Sequence, residues 1–107
     1  MNSINTILEP TGVPVSRLKY TGSKDPYITF FFYDEQGEAF ADDKETSTGY
    51  YLQVDIWTKG NFTALAKQVK SLMDDADFKR IYSTELHEPD TGLNHKVLRF
   101  SYYEENS

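Results

Sequence analysis

The sequence contains no cysteine, which excludes disulfide bonds and metal sites with cysteine ligands. It has no apolar run near the roughly 20 residues that a membrane-spanning helix needs. The first twelve residues lack the basic flank and the long apolar segment of a signal peptide. These absences predict a soluble protein that is made and kept in the cytosol and has no membrane partner.

Positive charge is also scarce, since 11 Lys and Arg residues stand against 17 Asp and Glu residues, for a net charge of −6. The basic residues are scattered, and their longest run is the pair Lys79-Arg80. Because binding to nucleic acid phosphates depends on clustered Lys and Arg, this composition disfavours a DNA- or RNA-binding protein. A chain of 107 residues is long enough for one hydrophobic core, so we expect a single domain over residues 1–107.

The stretch from Gly49 to Met73 changes its hydrophobic period once, at Gly60. Before that point apolar residues alternate with polar and aromatic ones, which is the period of a half-buried strand. After it, apolar residues recur at steps of three and four, which is typical of an amphipathic helix. The sequence therefore predicts a strand followed by one main helix over about 61–76, with Asn61 as a favourable N-cap.

Four further segments have the composition of strands, namely residues 13–20, 27–33, 78–88 and 95–104. Residues 1–12 form a short N-terminal segment, in which a helical turn is ended by Pro10. Residues 34–48 are acidic and polar and predict a mobile acidic loop. The predicted fold class is α+β, with a mostly antiparallel sheet of about five strands and the main helix packed on one face.

Aromatic residues make up 15% of the chain, with 8 Tyr and 7 Phe. Tyr27, Phe31 and Tyr33 alternate with apolar residues, so both faces of this strand are apolar or aromatic. Such a strand is either covered on both sides or has one face that awaits a partner. Trp57 has two comparable interpretations, because it either packs under the start of the helix or anchors an interface.

No motif for catalysis or cofactor binding is present, because the sequence contains neither a GxSxG elbow nor a glycine-rich phosphate loop. Asp42, Asp43 and Glu45 offer oxygen ligands of the kind that calcium prefers. Their spacing fits no EF-hand, so these three residues indicate a solvated loop.

His87, Glu88 and His95 flank the last predicted hairpin and offer nitrogen and oxygen atoms of the kind that bind zinc. Their spacing matches no zinc signature, so hydrogen bonding at the hairpin end is the favoured interpretation. On the last strand, Arg99 has Asp55 as its expected partner in a surface ion pair. The sequence therefore predicts no catalytic, cofactor or metal site, and no enzyme.

Three segments carry a resemblance to a known family: PYITFFFYDEQGEAFADD at 26–43, YYLQVDIWTKGNFTALAKQVKSLM at 50–73 and DTGLNHKVLRFSYYEE at 90–105. Between the last two lies FKRIYSTELHE at 78–88. In this order they resemble the small tail-completion (tail terminator) and head–tail joining proteins of siphophages and prophages of Gram-positive bacteria. Members of that family generally carry a longer N-terminal helix than residues 1–12 provide.

The resemblance implies a small α+β virion protein that assembles as a ring, often a hexamer, at the head-proximal end of the tail. There it ends tail-tube growth and forms part of the joint to the head. The implied partners are copies of itself, the tail tube and the head connector, while phage DNA passes through without specific binding. The implied location is the virion, and the host bacterial cytoplasm during assembly. The alternative is a monomeric protein-interaction module that uses an exposed aromatic sheet face, also without enzyme activity.

The candidate subunit interface consists of aromatic residues from two strands: Tyr27, Phe31, Tyr33, Tyr51 and Trp57. Tyr and Trp are enriched at interfaces because each joins a large apolar surface to a polar atom. The candidate channel or loop contacts are acidic: Asp42, Asp43 and Glu45. On this hypothesis their negative charge keeps a channel from gripping DNA, which an unchanged rate of DNA ejection after their neutralisation would contradict.

Overall fold

The computed structural model describes residues 3–41 and 44–105, with side chains over residues 3–33 and 48–104. Its elements are, in order, α1 (Ile4–Leu8), a 3-10 turn (Glu9–Thr11), β1 (Val15–Arg17), β2 (Tyr27–Ala41), β3 (Lys44–Thr58), α2 (Thr63–Asp75), β4 (Lys79–Glu88) and β5 (Leu93–Glu105). The strands form one sheet in the order β1-β2-β3-β5-β4. β1 pairs parallel with β2, and the other three pairings are antiparallel. This architecture confirms the predicted α+β fold class.

The helix α2 begins and ends close to the limits that the sequence predicts. The N-cap of α2 is Phe62, which makes no side-chain cap hydrogen bond, so the predicted N-cap position of Asn61 is wrong by one residue. The side chain of Asn61 still accepts a hydrogen bond from the backbone N–H of Thr63 at 2.7 Å, and so satisfies one of the free donors at the helix start. The helix buries Ala66, Val69 and Met73, which is the stripe that steps of three and four predict. The predicted main helix over 61–76 is therefore confirmed.

The core lies between α2 and one side of the sheet. Alternate positions of three strands supply its buried apolar side chains: Ile28, Phe30, Leu52, Val54, Ile56, Leu98 and Phe100. α1 packs beside α2 and adds Ile4, Ile7 and Leu8. Because successive side chains of a strand point to opposite faces, the positions between these core residues point to the other side of the sheet.

The first strand is shorter than the predicted segment 13–20. β1 ends at Arg17, because Leu18 adopts a positive φ of 68°, and a strand does not continue through the left-handed conformation. The backbone N–H of Leu18 still donates to the carbonyl of Phe30 at 2.8 Å. Beyond this bond the chain turns away from the sheet.

The prediction of a loop over residues 34–48 is wrong, because β2 and β3 extend through most of this segment. Their pairing reaches out to Ala41 and Lys44. Asp, Glu and Gly favour strands poorly, but here each strand supplies the main-chain partners of the other. The outer part of this long hairpin is called the arm below (residues 34–41 and 44–47). The mobility of this segment stays a prediction.

The side chain of Asp25 connects the segment before β2 to the turn between β3 and α2 by two hydrogen bonds. One of its carboxylate oxygens accepts a hydrogen bond from the Thr58 hydroxyl at 2.5 Å, and the other accepts one from the Lys59 backbone N–H at 2.9 Å. Both bonds favour the ionised carboxylate. The hydroxyl of Thr58 and the N–H of Lys59 therefore hold the pKa of Asp25 below its usual value.

We expect Asp25→Asn to lower the stability of the fold at neutral pH but not in acid. A carboxyl group whose pKa is depressed by folding stabilises the protein above its unfolded pKa, near 3.8, and this contribution is lost as the pH falls through the folded pKa. Urea unfolding of both proteins from neutral to strongly acidic pH measures the effect. The two stabilities should converge in acid, and parallel curves would contradict the proposed bonds.

Candidate interaction surface

Within the described ranges no helix packs on one side of the sheet, the open face, because α1 and α2 both pack on the other side. The open face consists of the outward side chains of four strands: Tyr27, Thr29, Phe31 and Tyr33 from β2; Tyr51, Gln53, Asp55 and Trp57 from β3; Tyr82, Thr84 and Leu86 from β4; and His95, Val97, Arg99, Ser101 and Tyr103 from β5. These positions alternate with the core positions and stand side by side in the register. The open face therefore contains all five residues of the predicted subunit interface.

Trp57 belongs to a ring stack that crosses three strands. Its ring stacks on that of His95 with 3.7 Å between the centroids, and it faces the ring of Tyr27 at 6.2 Å. The indole N–H donates to the hydroxyl of Thr29 at 3.0 Å. Since Trp57 lies on the side of the sheet opposite α2, the interpretation that it packs under the helix start is wrong. Its role as an interface anchor stays a prediction.

A chain of hydrogen-bonded polar side chains crosses the middle of the open face. Nε2 of His95 lies 2.6 Å from Oδ1 of Asp55, and the side-chain amide of Gln53 donates to the same oxygen at 2.9 Å. The side-chain oxygen of Gln53 accepts from Nε of Arg99 at 3.0 Å. The expected ion pair between Arg99 and Asp55 is therefore wrong, because Gln53 bonds to both of them.

Arg99 lies between two tyrosines, and a β-bulge lies at or directly before each of them. The register of β2 shifts at Tyr33, and that of β4 shifts at Ile81. The guanidinium of Arg99 lies 5.1 Å from the centre of the Tyr33 ring and 5.3 Å from that of the Tyr82 ring, within the range of cation–π attraction. Tyr33 is 40% exposed and Tyr82 is 49% exposed. This cluster thus presents aromatic surface and positive charge to solvent.

Exposed rings continue along the open face toward the arm. The hydroxyls of Tyr51 and Tyr103 lie 3.2 Å apart, and the rings of Tyr33 and Tyr51 are 6.1 Å apart. Tyr103 is 56% exposed, and Leu86, near the other end of the face, is 54% exposed. Apolar and aromatic groups that are exposed together in this way mark interaction sites, whereas single exposed residues do not. The geometry of the open face therefore favours protein binding.

The predicted interface omits Tyr82, Arg99 and Tyr103, which the structure adds to the open face. Alternation along β5 puts Arg99 and Tyr103 on one side of that strand, so sequence periodicity contains the signal for these two. In β4 the bulge at Ile81 breaks the alternation, so the period of two does not place Tyr82. The sequence thus predicts the half of the open face that lies on β2 and β3.

Of the three candidate channel contacts, the structure describes only the backbone of Glu45. Asp42 and Asp43 fall outside the described residues. Glu45 belongs to β3, where its backbone pairs with Phe40. The expected role of these three acidic residues stays a prediction.

In the described ranges, no group of three or more His, Asp and Glu side chains is placed to hold a metal ion. Nδ1 of His87 lies 2.9 Å from Oδ1 of Asn94, which confirms the predicted hydrogen bonding at the hairpin end. His95 points to the open face instead, toward Asp55. Within the same ranges, no helix has the length and apolar character needed to cross a membrane.

We expect Asp55→Ala to lower the free energy of unfolding by about 1–3 kcal/mol, because it leaves Nε2 of His95 and the side-chain amide of Gln53 without their shared acceptor. The side chains of Asp55 and His95 are only 6% and 12% exposed. Urea unfolding measures the loss, and Asp90→Ala on the exposed last turn is the matched control. An Asp55→Ala protein as stable as the control would contradict the bond.

The family model described as "Tail completion protein gp17" matches residues 5–105, and no curated protein matches the chain. A solved chain from a "Virion of native gene transfer agent (GTA) particle" has a similar fold, with a TM-score of 0.58 and 16% identity over 98% of this chain and 87% of that chain. The family match confirms the resemblance in the sequence. The chain belongs to the tail completion protein gp17 family and is a structural protein of phage tails.

Proposed function

We propose that copies of this chain bind one another through the open face and form a ring, with six copies as the expected number, at the head-proximal end of a phage tail. There the ring ends the growth of the tail tube and forms part of the joint to the head. One observation carries this proposal: one side of the sheet of a tail completion protein is rich in aromatic rings, of which Tyr33 and Tyr82 are exposed and lie against Arg99.

The chemistry of the open face suits a protein partner. Trp, Tyr and Arg are the residue types that most often dominate the energy of protein interfaces. The rings of Trp57 and Tyr27 are already held against each other, and Arg99 is held by Gln53 and by two tyrosine rings. Because these side chains are ordered before a partner arrives, little conformational freedom is lost on binding.

A closed ring requires head-to-tail contacts between two different surfaces of each copy. The sheet offers two unlike sides, since the open face is aromatic and the other side carries α2. Similarity to a chain of a gene transfer agent virion supports a place in a phage particle, assembled in the host cytoplasm. The proposed neighbours there are the tail tube and the head connector, and the proposed role involves no catalysis.

Light scattering behind a sizing column, at several protein concentrations and with and without magnesium, tests this proposal. The expected result is a discrete species near six times the subunit mass of 12.4 kDa, with a central hole in particle images. A monomer at every concentration would contradict self-assembly in solution and favour the monomeric interaction module. Phage that lack the protein and still keep heads and tails joined would contradict a role at the joint.

A further inference from the structure

A groove runs between α2 and β4 on the side of the sheet that carries the core. Three cavities of about 560, 140 and 350 Å³ follow one another along it. The first two share Phe62, Thr63 and Glu85 as lining residues, and the last two share Lys70. These shared lining residues place the three cavities next to one another in one surface groove, called the α2–β4 groove below.

Positive side chains dominate the inner part of this groove. Lys67 and Lys70 come from α2, Arg80 comes from β4 and Lys96 comes from β5. Burial and the nearby charges of Lys96, Arg80 and Lys67 lower the pKa of Lys70. The groove therefore concentrates like charges, and such a site is stabilised by an anionic occupant.

Two acidic side chains line the same cavities and balance the positive charge only in part. Glu85 lies 3.2 Å from Nζ of Lys96, but its own side chain is 63% exposed. Asp74 lines the cavity near Arg80. Four cations thus face two carboxylates, in a chain whose net charge is −6.

The opposite charge is concentrated in the stretch of sequence 34–47, which contains the arm. Over residues 34–47 one lysine, Lys44, stands against the acidic residues Asp34, Glu35, Glu38, Asp42, Asp43 and Glu45. Most of the net charge of the chain therefore belongs to this segment. The inner part of the arm belongs to a three-stranded region, because the β3 partners of residues 34–38 also pair with β5. Beyond Glu38 and Ser47 the described backbone is a narrow two-stranded ribbon, and a ribbon of this kind is able to lie along a groove.

The arm is unable to reach the groove of its own copy. Arg80 pairs with Phe100, and Phe100 pairs with Leu52, so the groove begins beside Leu52 and continues toward Thr58. The arm extends from the other side of Leu52 in the opposite direction along the same strands. At about 3.3 Å per residue, each further residue takes the arm away from its own groove.

We propose that the arm of one copy lies in the α2–β4 groove of the neighbouring copy and fixes the direction of the ring. This contact rests on the proposed self-assembly and adds a second surface to it. It joins two unlike surfaces of identical chains, which is the head-to-tail type of contact that closes into rings. Opposite charges on the two surfaces select this orientation and disfavour arm-to-arm or groove-to-groove encounters.

Charge reversal in the full-length chain tests the contact. The variants are Lys67→Glu with Lys70→Glu in the groove, Glu35→Lys with Glu38→Lys in the arm, and the control Lys19→Glu with Lys24→Glu between β1 and β2. Groove or arm reversal brings like charges together, so the protein concentration at half-assembly should rise about tenfold or more. The control should assemble as the wild type does. Groove and arm variants that match the control would overturn the proposal.

A mixture of the two reversed chains gives the sharpest comparison. In the mixture each reversed arm meets a reversed groove and each normal arm meets a normal groove, so assembly should recover as an alternating ring. Circular dichroism confirms that each variant is folded. A mixture of folded chains that assembles no better than either variant alone would overturn the proposal.

Zero-length carbodiimide cross-linking tests the contact between arm and groove independently of whether a ring forms. This reagent joins amines to carboxylates in contact, and mixed isotope-labelled and unlabelled wild-type chains identify the links between copies. We expect such links from Lys67 or Lys70 to arm peptides. Rings without these links would overturn the arm contact and keep the ring, whereas links without a discrete ring would keep the arm contact and overturn the ring.

A labelled DNA duplex tests the competing occupant of the groove. We expect the wild type and the Lys67→Glu, Lys70→Glu variant to bind the duplex equally weakly at physiological salt. In the wild type the arm of a neighbouring copy occupies the groove, and in the variant the added glutamates repel the phosphates of DNA. Tight duplex binding that this groove variant abolishes would overturn the assignment of the arm as the occupant.

Discussion

Phe100→Ala is expected to lower the free energy of unfolding by about 3–5 kcal/mol. Phe100 is 1% exposed and belongs to the core under α2, in one row of the register with Leu52. Removing its ring loses apolar contacts and leaves a cavity. The flanking strands are held in place by their ladder of hydrogen bonds, so they close this cavity only in part.

Phe32 supplies the matched control, because it stands in the same row on the other side of Leu52. Phe32 is 38% exposed, so the same change to alanine removes less buried surface and leaves no enclosed cavity. Urea unfolding below the concentration of assembly measures both variants. Equal losses for Phe32→Ala and Phe100→Ala would contradict the position of the core.

Tyr33→Ser combined with Tyr82→Ser is expected to raise the concentration at half-assembly by about a hundredfold or more. Each ring lies beside Arg99 and is exposed in the monomer. Truncating a central interface residue commonly costs about 2 kcal/mol or more, and each 1.4 kcal/mol corresponds to about tenfold in affinity. Light scattering over a dilution series measures the shift.

The monomer should tolerate this double change, because both rings are largely exposed and an exposed cation–π contact contributes only about 0.5–1 kcal/mol. Leu18→Ser is the matched control, since Leu18 is 64% exposed and follows β1, outside the open face. Assembly of the double variant at the wild-type concentration would show that the open face is not the contact. Loss of folding would show that the two tyrosines belong to the core.

The core of this fold is predictable from the sequence because two simple periods specify it. Alternation of Leu52, Val54 and Ile56 and the helical spacing of Ala66 and Val69 each identify a buried face. The arm is different, because its acidic residues disfavour strand when each segment is read alone. Only the pairing of β2 with β3 makes this segment extended, and pairing depends on both strands together, which the residues of neither strand specify alone.

The open face is predictable in part for the same reason. The predicted interface residues on β2 and β3 follow from alternation, but the bulges at Tyr33 and Ile81 are single-residue register shifts that leave no periodic signal. The bond between Asp55 and His95 depends on the packing of side chains from neighbouring strands. The α2–β4 groove depends on the position of the helix over the sheet, which no local pattern specifies.

The central claim is that the open face is buried between copies, and Trp57 reports on it directly because it is the only tryptophan in the chain. The measurement is acrylamide quenching of Trp57 fluorescence across a dilution series, with the mass followed by light scattering in the same samples. The account predicts that quenching falls in step with the rise in mass from monomer to ring. A ring that forms while Trp57 remains as accessible as in the monomer would contradict it.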